Sequence, residues 1–222
     1  MIICFEGLDF SGKTTQIKLF EQYLESNGLN VVVLKEPGDN ILPELKNVIG
    51  KRRLQPQTEL FLFLAMHVEL TKKVHELFYD TDIENIPDVV ILDRFIYSTL
   101  AYQGVGRDIG FEVVDMLINH FVKIDMDDKT FKIEPDIVFY IDIPTVEVLK
   151  RRNELMRESQ SEFDKESMEF FKKVRDTYLK LAKRYNFIVL DGQQDVEVIH
   201  QQIIEQYKKL SNTLNIKTVY KC

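Results

Sequence analysis

Residues 7–14 read Gly-Leu-Asp-Phe-Ser-Gly-Lys-Thr, a G-x-x-x-x-G-K-T spacing that requires a strand, a tight loop and a helix in that order. Glycines at both ends let the backbone curl until successive N–H groups point inward at phosphate oxygens. Lys13 then reaches the β- and γ-phosphates, and the Thr14 hydroxyl can bind Mg²⁺. The flanks agree with this reading. Met1 to Phe5 is a short apolar run suited to a buried parallel strand, and Ile17, Phe20, Tyr23 and Leu24 recur at helical spacing over Thr14–Asn27. A helix starting near Lys13 turns the positive end of its dipole toward a bound anion. Gly7, Leu8, Asp9, Phe10, Ser11, Gly12, Lys13, Thr14 and the adjoining Thr15 therefore form the expected nucleotide-phosphate cradle.

The rest of the chain alternates short apolar strands with longer helical patterns, the signature of a parallel sheet covered on both faces. Expected strands are Ile2–Phe5, Val31–Leu34, Val89–Leu92, Ile137–Ile141 and Phe187–Leu190. Expected helices are Lys13–Asn27, Leu42–Gly50, Gln57–Phe78, Ile96–Tyr102, Phe111–Val122, Thr145–Glu154, Asp164–Tyr185 and Val196–Asn212. Tyr79–Pro87 reads as a surface loop, and the polar stretch Asn153–Asp164 as a mobile lid. Nothing splits the chain, so residues 1–210 are expected to be one domain with a lid at about 151–164, followed by a polar tail at 211–222. The 222 residues are 45% hydrophobic, enough for a sizeable core. A net charge of −7 gives no general attraction for nucleic acid, so a bound anion must be held by a local basic cluster. Only two cysteines, Cys4 and Cys222, are present, which excludes a disulfide framework. With no apolar run of 18 residues and no leader-like segment, the chain is expected in the cytoplasm, away from membranes.

The strand Val89–Leu92 runs into Asp93-Arg94. An Asp at the carboxyl edge of a parallel strand sits beside the phosphate loop and can hold Mg²⁺ or its waters. A hydrolytic ATPase commonly follows that Asp with Glu to activate water, whereas this chain has Arg94. A guanidinium fork suits a second phosphate held bidentately. The N-K-x-D motif of guanine recognition is absent. Together these residues describe phosphoryl transfer to an acceptor that already carries a phosphate.

The chain resembles the thymidylate kinases in Phe5-Glu6-Gly7-Leu8-Asp9-Phe10-Ser11-Gly12-Lys13-Thr14-Thr15-Gln16, Glu36-Pro37-Gly38, Asp93-Arg94-Phe95, Ser98, Ala101-Tyr102-Gln103-Gly104, Pro135-Asp136-Ile137 and Leu190-Asp191-Gly192. The resemblance implies an α/β P-loop fold, a three-layer αβα sandwich on a five-stranded parallel sheet. It also implies a homodimer that moves the γ-phosphate of ATP to dTMP with Mg²⁺. By position it places Asp9 at the deoxyribose 3′-hydroxyl and Phe63 on the thymine face. Gln103 falls at the base edge with Ser98 nearby, Arg94 at the acceptor phosphate, and Arg151 over adenine beside the Asp191–Gln194 loop. Lys35 and Pro37 flank the acceptor.

Several arginines of that pattern are missing. Lys35 and Lys46 stand where arginines are usual, and His67 stands where an arginine reaches the thymine O4. A lysine keeps the charge and loses the planar fork, while His67 can donate to O4 only in a suitable tautomer or when protonated. The acceptor base is thus left open to dUMP or a modified pyrimidine. Phe10 leaves the phosphate loop without a catalytic cation, so the lid must supply one. The lid motif reads Glu162-Phe163-Asp164, with Glu in place of Arg, which leaves Arg152 and Arg157 as candidates and Arg157 as the choice. A non-catalytic nucleotide-binding regulator is the alternative from another class.

Overall fold

The structure is a computed structural model that describes residues 1–37, 44–45, 48–49, 54–79, 82, 85–126, 129–155 and 166–214. Its centre is a five-stranded parallel sheet in the order β2-β3-β1-β6-β7. The strands are β1 (Ile2–Gly7), β2 (Val31–Lys35), β3 (Val89–Asp93), β6 (Ile137–Asp142) and β7 (Ile188–Asp191). β1 is flanked on both sides, pairing Phe5 with Asp93 on β3 and with Phe139 on β6. The register brings Gly7, Asp93 and Asp142 to one edge of the sheet, where ligands bind in such folds.

Side chains alternate across the sheet. Ile3 and Phe5 point to one layer, where they pack with Phe20, Phe139, Ile203 and Tyr207 from α1 (Lys13–Ser26), β6 and α7 (Val196–Leu214). Cys4 points to the other, with Leu64, Phe95, Val174 and Tyr178. That second layer contains α2 (Pro56–Tyr79), α3 (Ile96–Thr99), α4 (Phe111–Phe121), α5 (Thr145–Leu155) and α6 (Met168–Arg184). Each connection between parallel neighbours is long enough to carry a helix back over the sheet, which gives the three layers.

Several expectations change. The helix expected over Ile96–Tyr102 is α-helical only to Thr99 and continues as a π-helix, Leu100–Gly106, in which Arg107 N donates to Tyr102 O at 2.8 Å. α6 begins at Met168, where the Ser167 hydroxyl accepts from Phe170 N at 3.2 Å and caps the helix. The start expected at Asp164 lies outside the described residues. β7 begins one position after Phe187, and α2 runs on to Tyr79. A hairpin of β4 (Ile124–Met126) and β5 (Lys129–Phe131) had no expected counterpart. Of the helix expected at Leu42–Gly50, residues 44–45 and 48–49 are helical, and the rest lies outside the described residues. α7 continues to Leu214, two residues past the expected helix end at Asn212.

Candidate functional site

The phosphate loop grows out of β1. Gly7 has φ +152°, and a Cβ there would stand 2.7 Å from Ile141 O and 2.8 Å from Ser11 Oγ, so no larger residue fits. Gly12 has φ +96° and lets the chain turn directly into α1 at Lys13. The Lys13 ammonium is buried and donates to Gly7 O at 3.2 Å and Leu8 O at 3.0 Å. Burial, with repulsion from Arg94, lowers its pKa to about 8, against the pull of Asp93, Asp9 and Glu6. Thr14 and Thr15 are exposed in the first turn of the helix, while Leu8 and Ser11 are buried. The Ser11 hydroxyl has no hydrogen-bond partner.

Arg94 lies beside this loop, at the end of β3, in a left-handed backbone conformation with φ +75°. Its Nη2 donates to Asp9 Oδ1 at 2.7 Å; its Nη1 donates to Gly7 O at 2.9 Å and Ser98 Oγ at 3.0 Å. The guanidinium lies 5.2 Å from the Tyr102 ring centroid. Burial alone would raise the Asp9 carboxyl, but Arg94, Lys13 and the Tyr102 hydroxyl outweigh it and hold Asp9 below the usual carboxylate range. Asp93 is buried, and Lys35 Nζ stands 3.3 Å from its Oδ2. Both Thr14 and Asp93 offer hard oxygen donors of the kind Mg²⁺ takes, leaving its remaining positions to phosphate oxygens and water.

Glu6 lies under Arg94, fully buried. It accepts from Phe95 N at 2.9 Å, Ser98 Oγ at 2.7 Å and Tyr178 OH at 2.8 Å. Burial pushes its carboxyl up, and Arg94 with these three donors pulls it back part of the way. Ser98 thus joins Glu6 to Arg94. The sequence carried Glu6 only as part of a motif, with no role for it, and did not single out Tyr178. The only signal was a carboxylate placed directly before Gly7 in an otherwise apolar strand.

A cavity of about 160 Å³ opens next to Arg94, lined by Asp9, Glu36, Pro37, Phe63, His67, Phe95, Ser98, Thr99, Tyr102 and Gln103. Seven residues expected at the acceptor therefore converge on one space: Asp9, Pro37, Phe63, His67, Arg94, Ser98 and Gln103. Phe63 lines it, whereas Phe61 is 59% exposed on the far side of α2. His67 is placed as expected but is not free to donate to a base. Its Nδ1 is bonded to Glu36 Oε2, its Nε2 lies 2.8 Å from Thr99 Oγ1, and its ring meets the Phe95 ring edge-on. The second Glu36 oxygen, Oε1, is buried without a partner. Gln103 Nε2 donates to Glu59 Oε1 at 2.7 Å. Glu59, Phe63 and His67 recur every four residues on one face of α2, a spacing that could have revealed Glu59.

On the other side of the phosphate loop, Arg151 ties three segments together. It donates to Glu147 Oε1 at 2.8 Å, Phe10 O at 3.2 Å and Gly192 O at 2.8 Å. It thus holds the loop against the turn after β7. Arg152 donates to Glu166 O at 3.1 Å. Arg157, Gly38, Lys46 and Glu162-Phe163-Asp164 lie outside the described residues. A larger groove of about 700 Å³ lies between α4, residues 132–138 and the end of α7, and none of the expected site residues lines it.

The family model described as thymidylate kinase matches residues 5–203. A thymidylate kinase of Fervidobacterium nodosum is 37% identical over 209 residues, covering 93% of this chain and 98% of the relative. One from Kosmotoga olearia is 36% identical, covering 96% and 100%. The crystal structure of thymidylate kinase from Ehrlichia chaffeensis superposes with a TM-score of 0.68 at 31% identity, covering 94% of this chain and 98% of that one.

Proposed function

The chain belongs to the thymidylate kinase family, and from that premise we propose how its residues divide the work of phosphorylating dTMP with ATP. The reaction joins the acceptor phosphate oxygen to the γ-phosphorus of ATP and breaks its bond to the β-phosphate oxygen, giving dTDP and ADP. No general base is needed, because the attacking oxygen belongs to an ionised phosphate. Catalysis is then a matter of positioning and charge.

Lys13 and the amides of Gly7–Thr15 hold the donor phosphates. Arg151, bonded to both Phe10 and Gly192, forms one wall of the adenine site. Thr14 and Asp93 would hold Mg²⁺, which would supply charge neutralisation at the phosphates. Arg94 clamps the acceptor phosphate, with Lys35 nearby. Asp9 takes the 3′-hydroxyl, Phe63 stacks on the base, and Gln103 and Ser98 lie along its edge. His67, held by Glu36 and Thr99, shapes the cavity without donating to the base. The cation for the moving phosphoryl group comes from the lid at about 151–164, with Arg157 as the candidate. Residues 1–210 form the kinase domain. The protein acts as a homodimer in the cytoplasm, without nucleic acid or membrane. Composition supports that compartment, as does the absence of a membrane-crossing helix among the described residues.

One observation carries the assignment. Arg94 lines the cavity and bonds directly to the phosphate loop at Gly7 and Asp9, so one guanidinium borders both donor and acceptor spaces. Coupled assays of ADP formation with dTMP, dUMP, dCMP, thymidine and no acceptor test it. Turnover is expected with dTMP above all. Turnover with thymidine alone would remove the monophosphate acceptor, and ATP binding without turnover of any acceptor would make the protein a nucleotide-binding regulator.

A further inference from the structure

Gln103 is the residue whose hydrogen-bonding polarity is fixed from behind. It sits in the π-helix, 2% exposed, and lines the acceptor cavity with Phe63. A side-chain amide can present either its carbonyl oxygen or its NH₂ to a ligand, and the two orientations have almost the same shape. Glu59 removes the choice. It is 5% exposed and receives Gln103 Nε2 at 2.7 Å. The Arg107 guanidinium pairs with the same carboxylate, Nε to Oε1 at 3.2 Å. A carboxylate paired with a guanidinium has only lone pairs to offer, so the end of Gln103 turned toward it must be the NH₂ group. Arg107 is itself held in place, donating to Glu166 Oε1 at 2.5 Å and lying 4.9 Å from the Phe170 ring centroid.

We propose that Glu59 is a positioning residue that fixes Gln103 with its carbonyl oxygen toward the acceptor base, so that the site takes pyrimidines carrying an N3–H donor and rejects cytosine. The inference rests on the assignment of this cavity to the acceptor base. Thymine and uracil both carry N3–H. Cytosine presents an N3 lone pair, which would face the Gln103 oxygen and leave two buried acceptors opposed. His67 cannot compensate, since both its ring nitrogens are engaged within the protein. Discrimination against dCMP therefore resides in the Glu59–Gln103 pair, while the 5-methyl group that separates dTMP from dUMP is read elsewhere in the cavity.

The test compares kcat/KM for dTMP, dUMP and dCMP in the unaltered protein, in Glu59→Gln, and in the exchanged pair Glu59→Gln with Gln103→Glu. Glu59→Gln lets the Gln103 amide turn over. The dTMP/dCMP ratio should then fall by about tenfold or more, chiefly through KM for dTMP, with KM for ATP within about twofold. In the exchanged pair, residue 103 is acceptor-only and residue 59 supplies the donor, so the ratio should recover to within about threefold of the original. A Glu59→Gln protein that loses kcat on all three nucleotides with the ratio unchanged would show a purely structural role and overturn the proposal. So would an exchanged pair that folds, by its circular dichroism, yet fails to recover the ratio. A measurement needing no variant stands beside these. In the unaltered protein, 3-methyl-dTMP, which lacks the N3–H, should compete about 30-fold more weakly than dTMP or worse, and equal competition overturns the proposal. If the unaltered protein turns over none of the three nucleotides, the assignment of the cavity fails first, and this inference with it.

Discussion

Lys13 must be charged to hold phosphates, yet it sits where charge is disfavoured. Its pKa is lowered from 10.5 to about 8, chiefly by burial and then by Arg94. In the unfolded chain the ammonium returns to its ordinary value, so between about pH 8 and pH 10.5 the unfolded state binds more protons. Stability from this group therefore rises with pH across that window, by up to about 3 kcal/mol. Below it, the full cost of the buried charge is present. Lys13→Met removes the charge while keeping most of the volume, so it should be the more stable protein near neutral pH, with its advantage shrinking as pH approaches 10.5. Urea unfolding of both proteins at matched pH values measures the gap. A gap that stays constant with pH would mean that Lys13 is not depressed. The residues of this loop were legible in the sequence, because each is dictated by a local spacing around one phosphate chain. Glu6 and Tyr178 were not, because their bond spans 172 positions and exists only once β1 and α6 are packed.

Elements set the precision of the site by pinning one another. Tyr178 comes from α6, stacks on Tyr140 of β6 with centroids 4.9 Å apart, and donates to Glu6 of β1. Its hydroxyl also lies 2.8 Å from Ser98 Oγ, in α3. Four elements meet at that side chain, three of them at its oxygen. Tyr178→Phe keeps the ring and removes one of the hydroxyl and amide donors to a fully buried carboxylate, so unfolding free energy should drop by about 1–3 kcal/mol. Chemical denaturation checks this, and a loss below about 0.5 kcal/mol would mean that water replaces the hydroxyl. The same scale explains what the sequence showed of the fold. Five apolar strand runs and the long helical patterns were readable from the spacing of their apolar residues, because each keeps one period along its length. The π-helix was not readable: it follows directly on α3 in one apolar pattern, and the close approach of Gly106 to Phe170, where a Cβ would stand only 2.7 Å from the ring, exists only in the packed fold. The β4–β5 hairpin is three residues a side and carries Asp125 and Lys129, too short and too polar for an alternating signal. At the acceptor site, position alone selected Phe63 over Phe61. The fate of His67 depended on Glu36 and Thr99, which come from separate segments.

At the scale of the whole molecule, α4 has more apolar surface than the monomer covers. Val114 and Ile118 are buried against the core, while Val113 and Met116 are 46% and 61% exposed on the side turned away from it, and Phe121 is 53% exposed at the helix end. A helix apolar on both faces calls for a second partner. α4 packs against α2, which carries Phe61 outward at 59% exposure, while its inner face bears Glu59, Phe63 and His67. α2 builds the acceptor side of the site, and both helices carry apolar side chains outward, as a homodimer joined through them would require. Fully burying each such side chain is favourable by about 1.5–3 kcal/mol, so a few of them paired across a two-fold axis can hold two copies together at micromolar concentration. Met116→Glu places a carboxylate at the most exposed of these positions, and a two-fold axis would repeat it on the partner. Its dissociation constant should rise by about 100-fold or more, roughly 3 kcal/mol, with the circular dichroism unchanged because the side chain makes no core contact. Sedimentation velocity over a concentration series measures this directly. An unaltered protein that sediments as a monomer at micromolar concentration would exclude the dimer, and a Met116→Glu dimer of undiminished affinity would move the interface to another face.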